Sequence, residues 1–399
     1  MRAYSFFVVL LLCLFILLVD AASYYWLLSI LALIPFTFII VLIKILFWLF
    51  SFALISAIII LKFSLSYLDP TRRQRLISSM YGLTVSSFIP KIIFVIVISV
   101  LYYSNNFFFE EKSLIWIPLA GLFAGLLPFG VVIYATFLGL YRFKIYHLSF
   151  NNPTLKGLRI VQISDLHLGS FNSRYGVFDR AVKMINDLEP DYIFFTGDLV
   201  NNYAWETKGW EETFKQLKAK KGKFSILGNH DYGDYSNWEN EAAKEENFTA
   251  IKEFHRKVGF TLLLNETKIE MNNSEKFAIV GVENWGKPPF VQYGNLDKAL
   301  LEAHDIKTKL LLSHDPSHWR EEVLGHPEIF LTLSGHTHGM QAGISLAGKQ
   351  WSPIKYKYRE WAGLYMENNQ YLYVNRGLGW MGFPGRLGMR PEITCIDFS

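Results

Sequence analysis

Cysteine is nearly absent from this chain of 399 residues, which contains only Cys13 and Cys395. A disulfide framework is therefore excluded as the device that organises the fold, in agreement with a reducing compartment. Internal repeats and low-complexity stretches are also lacking. The architecture must therefore be inferred from hydrophobic patterning and from short polar motifs.

Charged residues are scarce before residue 145 and balanced after it. The first 145 residues hold ten Lys or Arg and four Asp or Glu, whereas the remainder holds 29 and 31. This change of composition divides the chain into a region 1–145 and a region 150–399. The second region is nearly neutral and lacks the basic stripe of a general nucleic-acid binder, so we expect no nucleic-acid partner.

Region 1–145 consists largely of apolar runs, several of which approach or exceed the roughly 20 residues of a bilayer-spanning helix. These runs are Phe6–Val19, Trp26–Leu61, Ile92–Tyr102 and Leu114–Tyr141. The stretch Tyr25–Leu61 is too long for one ordinary span. It predicts either two spans joined near Lys44, with a bend at Pro35, or one span continued by an interfacial segment. We therefore expect a transmembrane helical region with four or five spans.

The distribution of basic residues predicts the orientation in the membrane. Basic residues occur in two groups separated by two spans, which are Arg72, Arg73 and Arg75 in one loop and Arg142 and Lys144 in another. The loop between those spans contains Glu110, Glu111 and only Lys112. The positive-inside rule then predicts an inner (plasma) membrane protein with region 150–399 in the cytoplasm. A cleaved signal peptide over residues 1–22 is the competing interpretation of the first run.

Region 150–399 alternates short apolar strands with amphipathic segments, the pattern of a layered α/β domain. The predicted strands are Leu158–Ile163, Tyr192–Thr196, Phe224–Leu227, Phe277–Val282, Lys309–Leu312 and Ile329–Leu333. The predicted helices are Val177–Leu188, Trp210–Lys218, Thr249–Val258, Leu296–Ala303 and Pro316–Leu324. About 250 residues are sufficient for one buried core.

Five polar clusters follow predicted strands directly. They are Asp165-Leu166-His167, Gly197-Asp198, Gly228-Asn229-His230-Asp231, Ser313-His314-Asp315 and Gly335-His336-Thr337-His338. Carboxylate, imidazole and amide groups form the mixed ligand set that divalent transition metals accept. Because the carboxyl ends of strands meet at one edge of an open α/β sheet, the five clusters predict a two-metal hydrolase. Each cluster alone would more often be a turn or a helix cap, and only their joint occurrence argues for a metal site.

In these motifs and their order the chain resembles the calcineurin-like metallophosphoesterases, in the branch that carries membrane spans ahead of the catalytic domain. The resemblance covers residues 155–399, and the tail segments Asn375–Gly379 and Arg390–Glu392 also resemble that branch. It implies a metallophosphoesterase β-sandwich flanked by helices. Asp165, His167 and His338 would bind one metal, Asn229, His314 and His336 the other, and Asp198 would bridge both.

The resemblance also implies how the reaction proceeds. Two divalent metal ions, Mn²⁺ first and Fe²⁺ or Zn²⁺ as alternatives, would hold the phosphate and activate water for attack at phosphorus. His230 would protonate the leaving group, and Asp231 would orient or charge-stabilise that imidazole. The remaining histidines favour ordinary surface or capping roles. His318 is the exception, because it lies about one helical turn beyond the His314 motif.

Three segments outside the strand pattern are candidates for substrate recognition. They are Tyr232–Asn247, Trp285–Tyr293 and Trp351–Trp361, and a solvated surface is the alternative for each. The third segment interleaves Lys355, Lys357 and Arg359 with Tyr356 and Tyr358. Aromatic and basic residues together suit an acyl chain and a phosphate, or a membrane surface.

The hypothesis from the sequence is a membrane-anchored phosphoesterase for a phosphodiester or diphosphate bond. A lipid-linked phosphate is favoured as substrate because tethering raises its effective concentration. Proteins of this branch are similar to enzymes that hydrolyse UDP-2,3-diacylglucosamine in lipid A biosynthesis, which makes that lipid the leading candidate. The alternatives are a phosphodiesterase or phosphatase for soluble nucleotides or phosphoproteins, and a non-enzymatic metal-binding scaffold at the membrane.

Overall fold

The computed structural model describes residues 6–64, 67–108, 116–171, 175–288, 291–346 and 349–399. The chain forms two compact units, one made of Gly139–Met381 with Arg386–Ser399 and the other of the residues up to Leu138 with Gly382–Gly385. The division falls a few residues before the change of composition near residue 145. The loop residues Glu110, Glu111 and Lys112 lie outside the described residues.

Within the described part of the first 138 residues, four helices are long and apolar enough to cross a membrane. They are α1 (Phe6–Leu31), α2 (Thr37–Ser64), α3 (Pro70–Phe108) and α4 (Trp116–Phe137). Side chains of α1, α3 and α4 form a small core that includes Trp26, Ile30, Phe94 and Ile98. The Trp26 indole N–H donates to Ser99 Oγ at 2.9 Å, which joins α1 to α3.

The break inside Tyr25–Leu61 lies at Pro35. The chain leaves α1 at Leu31 through a turn in which Leu33 N donates to Ile30 O, and Pro35 has no N–H to continue the helix. Lys44 lies inside α2, so the predicted joint near Lys44 is wrong. A single lysine is tolerated in an apolar helix because its long stem can carry the ammonium towards a polar neighbour or the interface.

The second unit is built on two six-stranded mixed sheets. The strands, in chain order, are β1 (Lys144–Phe150), β2 (Arg159–Ile163), β3 (Tyr192–Thr196), β4 (Gly222–Ile226), β5 (Thr261–Leu262), β6 (Glu266–Asn272), β7 (Glu275–Gly281), β8 (Lys309–Leu312), β9 (Ile329–Ser334), β10 (Ile344–Leu346), β11 (Lys349–Trp351), β12 (Gly363–Glu367), β13 (Gln370–Val374) and β14 (Glu392–Phe398). Sheet one has the order β1-β14-β2-β3-β4-β5, and sheet two has the order β12-β13-β9-β8-β7-β6. Strands β10 and β11 form a separate hairpin.

The two sheets pack face to face with helices on their outer faces. Apolar residues of both sheets, such as Ile160 and Phe194 from one and Ile279 and Leu331 from the other, share one buried cluster. The helices are α5 (Asp179–Asn186), α6 (Glu211–Lys215) and α7 (Glu241–Lys257) against sheet one, and α8 (Leu296–Leu300) and α9 (Ser317–Glu321) against sheet two. This arrangement confirms the predicted α/β fold with a helix-flanked sandwich after an apolar helical region.

Candidate metal centre

The predicted ligands lie where strands of the two sheets end. Asp165 and Asp198 follow β2 and β3, Asn229 follows β4, and His314 and His336 follow β8 and β9. Because β2, β3 and β4 are mutually parallel, as are β8 and β9, their carboxyl ends meet at one edge of the sandwich. The backbone reverses sharply there, with positive φ angles at Asp165, His167, Asp198, His336 and His338.

A first buried group contains Asp165, His167, Asp198 and His338, and their ligand atoms all lie within 4.8 Å of one another. His167 Nε2 lies 3.0 Å from His338 Nε2 and 3.5 Å from Asp198 Oδ2. His338 Nε2 lies 3.3 Å from Asp165 Oδ1. Two imidazole nitrogens that face each other and two carboxylates form a group of atoms that could hold a cation.

A second group contains Asp198, His314 and His336, also within 4.8 Å. His314 Nε2 lies 3.3 Å from Asp198 Oδ2 and 3.2 Å from Asn229 Oδ1. The Asn229 Oδ1 atom is also 2.8 Å from His336 Nδ1. Asp198 therefore belongs to both groups, which is the position that a bridging carboxylate would occupy.

Neighbouring groups fix the ring orientations of two of these histidines. His314 Nδ1 donates to Thr196 O at 2.7 Å, which leaves Nε2 facing Asp198. His336 Nε2 lies 2.7 Å from the Tyr358 hydroxyl, which leaves Nδ1 facing Asn229. Such outer partners set the tautomer of a metal-binding histidine.

Two motif glycines are required by close packing against the carboxylates. A Cβ atom on Gly228 would lie 2.2 Å from Asp198 Oδ1, and one on Gly335 would lie 2.3 Å from Asp165 Oδ2. Neither distance is compatible with a side chain. The glycines of these motifs therefore allow the backbone to approach the ligands.

The electrostatics of the centre are those of buried carboxylates that need a cation. Burial raises the pKa of Asp165 to about 7. Burial also lowers the pKa of His167 to about 3, so this imidazole is neutral and free to bind a metal. For Asp198 burial is outweighed by His314 and His230, which hold its pKa well below the usual value. His314 in turn has a pKa raised to about 10, because the charge of Asp198 outweighs its burial.

The residues fit two divalent cations. Asp165 Oδ2 is buried and has no hydrogen-bond partner among the described residues. The donor set combines two carboxylates, one amide oxygen and four imidazoles, which suits Mn²⁺, Fe²⁺ or Zn²⁺. Asp165, His167 and His338 would hold one ion, Asn229, His314 and His336 the other, and Asp198 both.

His230 lies beside this centre and, like His336, is only partly buried. Its Nδ1 donates to Asn201 O at 2.8 Å, and its ring packs edge-on against the His167 ring with centroids 5.2 Å apart. Its backbone N–H donates to Asp198 Oδ1 at 3.0 Å. The Nε2 atom therefore remains available to a substrate bound at the metals.

Asp231 does not contact the His230 ring, contrary to the predicted pairing. Its carboxylate turns inward and accepts from four backbone N–H groups, those of Asp198, Leu199, Val200 and Gly228, at 2.9 to 3.2 Å. These amides belong to the loops that follow β3 and β4 and would otherwise be buried without partners. Asp231 therefore joins the two ligand loops through hydrogen bonds. The Asn201 carbonyl oxygen, and not the Asp231 carboxylate, accepts the hydrogen bond from the His230 ring.

The segment after β13 also forms part of the site. Leu378 N and Gly379 N donate to Ser164 O and Asp165 O at 2.9 and 2.8 Å, and this holds the Asp165 loop. The buried Arg386 guanidinium donates to the carbonyls of Gly379 and Met389 and so fixes this segment. The tail segment after β13 thus packs on the loop that carries Asp165.

Two of the three candidate recognition segments reach the ligands. In the first, the Tyr235 hydroxyl accepts from Asn229 Nδ2 at 2.9 Å. In the third, Tyr358 contacts His336 as described. His318 is buried away from both ligand groups, between Ser313 Oγ at 2.8 Å and Glu322 Oε2 at 3.1 Å. The two tyrosines were not predicted as individual contacts, because a single aromatic residue in a long loop gives no motif.

Comparison with known proteins agrees with this geometry. The profile of the calcineurin-like phosphoesterases matches residues 158–340. A Bos taurus protein named transmembrane protein with metallophosphoesterase domain is 30% identical over 251 residues, which cover 61% of this chain and 53% of that protein. The Bacillus subtilis uncharacterized metallophosphoesterase YkuE is 32% identical over 250 residues, which cover 61% of this chain and 79% of that protein.

A third relative has a named substrate. UDP-2,3-diacylglucosamine pyrophosphatase LpxG of Chlamydia trachomatis is 28% identical over 292 residues, covering 59% of this chain and 83% of that protein. The chain spans about half the length of the bovine relative. The ligand geometry, the matched profile and the four apolar helices lead to one conclusion. The chain is a membrane protein that belongs to the calcineurin-like phosphoesterase family.

Proposed function

We propose that the protein is a membrane-anchored, dinuclear-metal phosphoesterase that hydrolyses a phosphodiester or diphosphate bond of a lipid-linked substrate. The observation that carries the proposal is the convergence of two ligand groups, one fully buried and one partly exposed at His336, on the single carboxylate of Asp198. When bound, two divalent ions, Mn²⁺ in the first instance, would supply Lewis acidity towards the phosphate oxygens and lower the pKa of water.

The residues of the chain then have separable roles. The seven ligands fix the metals, and Thr196 O and the Tyr358 hydroxyl orient two of the imidazoles. His230 would donate its Nε2 proton to the departing oxygen. The hydrogen bond from Nδ1 to Asn201 O would hold the ring so that Nε2 is the atom presented to the leaving group.

The lipid-linked substrate is supported by exposed apolar side chains in the polypeptide around the site. Ile344 and Leu346 of the β10–β11 hairpin are 63% and 74% exposed, and Trp351 is also exposed. Tyr356, two residues before the His336 contact Tyr358, is 79% exposed and lies beside the Lys355 ammonium. Large exposed apolar patches on a domain generally bind apolar partners. UDP-2,3-diacylglucosamine is the first candidate, since one relative is named for its hydrolysis.

The proposal includes the side of the membrane on which the catalytic domain lies. The balance of basic loops argues for the cytoplasmic face of the inner (plasma) membrane, where a lipid-linked diphosphate would reach the domain laterally.

The first experiment is hydrolysis of bis(p-nitrophenyl) phosphate by the full-length protein in detergent, with and without Mn²⁺. Asp198→Asn should lose activity by at least about a hundredfold, since outer partners of metal ligands alone are worth 10- to 100-fold. Asp187→Asn, a change at an exposed carboxylate on the surface, is the matched control and should be fully active. Full activity in Asp198→Asn would overturn the two-metal assignment.

The substrate is tested by comparing UDP-2,3-diacylglucosamine with UDP-glucose, which has the same diphosphate and no acyl chains. Preference for the lipid would support the proposal. The protein could instead hydrolyse bis(p-nitrophenyl) phosphate and soluble nucleotides or phosphoproteins while it leaves the lipid intact. That result would contradict the lipid-linked substrate and favour a soluble one. Metal binding without hydrolysis of any of these would favour a scaffold.

A further inference from the structure

The four apolar helices line an open cavity of about 670 Å³. Residues of all four helices form its wall, and most of them are apolar, including Leu27, Phe50, Phe94 and Leu122. Sites for small molecules in proteins commonly have volumes of roughly 300 to 1,000 Å³. The cavity is therefore of the size that holds an organic ligand.

One part of the wall is polar. Ser23, Ser86, Ser87 and Lys91 line the cavity. The Lys91 ammonium lies 2.6 Å from Asp20 Oδ1, and the Asp20 side chain is almost fully buried. Ionisable groups inside membrane segments are costly and mark functional sites by default. The pair Asp20–Lys91 therefore requires an explanation beyond helix packing.

Two atoms beside this pair have unused hydrogen-bonding capacity. Asp20 Oδ2 and Ser23 Oγ are buried and have no hydrogen-bond partner among the described residues. Asp20 and Ser23 are three residues apart on α1, so they lie on the same face of the helix. The Lys91 ammonium has three N–H donors, of which Asp20 takes one. The polar end of the cavity can thus both accept from and donate to a ligand.

We infer that this cavity is a binding site for a membrane lipid whose apolar chain fills the wall and whose polar group is a hydroxyl or an amide. Such a group donates to Ser23 Oγ and accepts from Lys91, both of which line the cavity, whereas Asp20 lies behind Lys91 and holds its ammonium in place. An anionic head group is disfavoured, because Asp20 already neutralises Lys91. The inference concerns the membrane helices alone and does not depend on hydrolysis in the second unit.

The test uses the full-length protein in phosphatidylcholine nanodiscs and a monoacylglycerol with a photoactivatable diazirine in its acyl chain. The control probe is the methyl ester of the same acyl chain, which accepts hydrogen bonds but donates none. We expect the monoacylglycerol to label cavity residues about fivefold more strongly than the ester, since one hydrogen bond between neutral groups typically changes affinity by about that factor. Unlabelled monoacylglycerol should compete. Equal labelling by the two probes, or labelling spread over the outer faces of the helices, would overturn the inference.

Two variants locate the site. Ser87→Trp fills the cavity and should reduce labelling about tenfold, whereas Ile96→Trp, on the exposed side of the same helix, should leave it unchanged. Ser23→Ala removes the unpartnered acceptor and should label equally with both probes. Persistent preference for the monoacylglycerol in Ser23→Ala would refute the role of the Ser23 hydroxyl, and the comparison in the wild type decides the inference even if a variant does not fold.

Discussion

At the scale of single residues, the metal centre depends on backbone conformations that most side chains avoid. Asp165, His167, Asp198, His336 and His338 all have positive φ angles. Conformations of this kind cost of the order of 1 to 3 kcal/mol each in unfavourable cases. Local hydrogen bonds hold them, for example Leu166 N and His167 N donating to Asp198 O. The strain is thus offset within the loops that present the ligands.

The proposed role of His230 predicts a dependence on the leaving group. A p-nitrophenolate departs without a proton, whereas an alkoxide requires one. His230→Ala should therefore reduce hydrolysis of an alkyl phosphodiester by about 10² to 10⁴, and hydrolysis of bis(p-nitrophenyl) phosphate much less. Steady-state rates on the two esters at saturating Mn²⁺ measure the difference.

The His255→Ala variant controls for the loss of an imidazole elsewhere in the domain. It should reduce hydrolysis of both esters by the same factor or not at all. Equal losses on both esters in His230→Ala would contradict a proton donor and favour a role in binding.

His255 predicts how stability responds to pH. His255 lies in α7, and its side chain is buried against Phe195 of β3. Burial lowers the pKa of His255 to about 3 from the usual 6.5. Below pH 6.5 the unfolded chain takes up a proton that the folded chain does not, so folding stability falls as the pH decreases. At pH 5 this amounts to about 2 kcal/mol. His255→Leu should flatten the dependence, as measured by pulse proteolysis in urea between pH 5 and 7.5 with excess Mn²⁺. An unchanged slope would contradict the assignment.

At the scale of elements, the sequence predicted the strands that carry the site and missed most of those that support it. Strands β3 and β8 agree residue for residue with the prediction, because they are short, mostly apolar and fully buried runs that a polar motif follows. Strand β12 could not be found in this way, since its alternating exposure gives a weak signal. The resemblance implies that Asp231 orients or charge-stabilises His230, and the sequence gives no sign that buried amides from two loops donate to the same carboxylate.

A buried side chain between the sheets shows a further limit of prediction. Gln162 on β2 donates through Nε2 to Ser334 O at the end of β9, at 2.9 Å, and to Thr196 Oγ1 on β3. This bond connects the strand ends that carry ligands from both sheets. A glutamine in an apolar strand carries no sequence signal of its partner, so the link is visible only in three dimensions.

The β10–β11 hairpin predicts a separation of lipid and soluble substrates. Replacing both Ile344 and Leu346 by serine removes exposed apolar surface without disturbing the buried core. We expect turnover of UDP-2,3-diacylglucosamine to fall about tenfold or more, since each side chain contributes roughly 1.5 to 3 kcal/mol when fully buried by a ligand. Hydrolysis of bis(p-nitrophenyl) phosphate should not change. Ile269→Ser/Met271→Ser, at exposed positions of β6, is the matched control, and equal effects of the two double variants would refute a specific role of the hairpin.

At the scale of the whole molecule, the metal ions are expected to stabilise the domain that binds them. Buried carboxylates and facing imidazoles are unfavourable without cations, so a ligand that binds only the folded state adds RT ln(1 + [L]/Kd). At a metal concentration of 100 times Kd this amounts to about 2.7 kcal/mol. Chelation should therefore lower the urea midpoint of the second unit in the full-length protein, as followed by hydrogen exchange of β2 and β3. Asp198→Asn should show a smaller response to chelation, and an equal response would contradict the bridging position.

The position of β14 in sheet one has a consequence for biosynthesis. This strand lies between β1 and β2, parallel to the first and antiparallel to the second, although more than 200 residues separate it from both. A ribosome needs roughly ten to fifty seconds to make that stretch. Throughout this interval β2, which leads into Asp165, lacks one neighbour, and the Gly377–Gly379 segment that supports Asp165 has not been made. The apolar helices are therefore translated well before β14, and the loop that carries Asp165 would gain its full support only once β14 has joined β1 and β2.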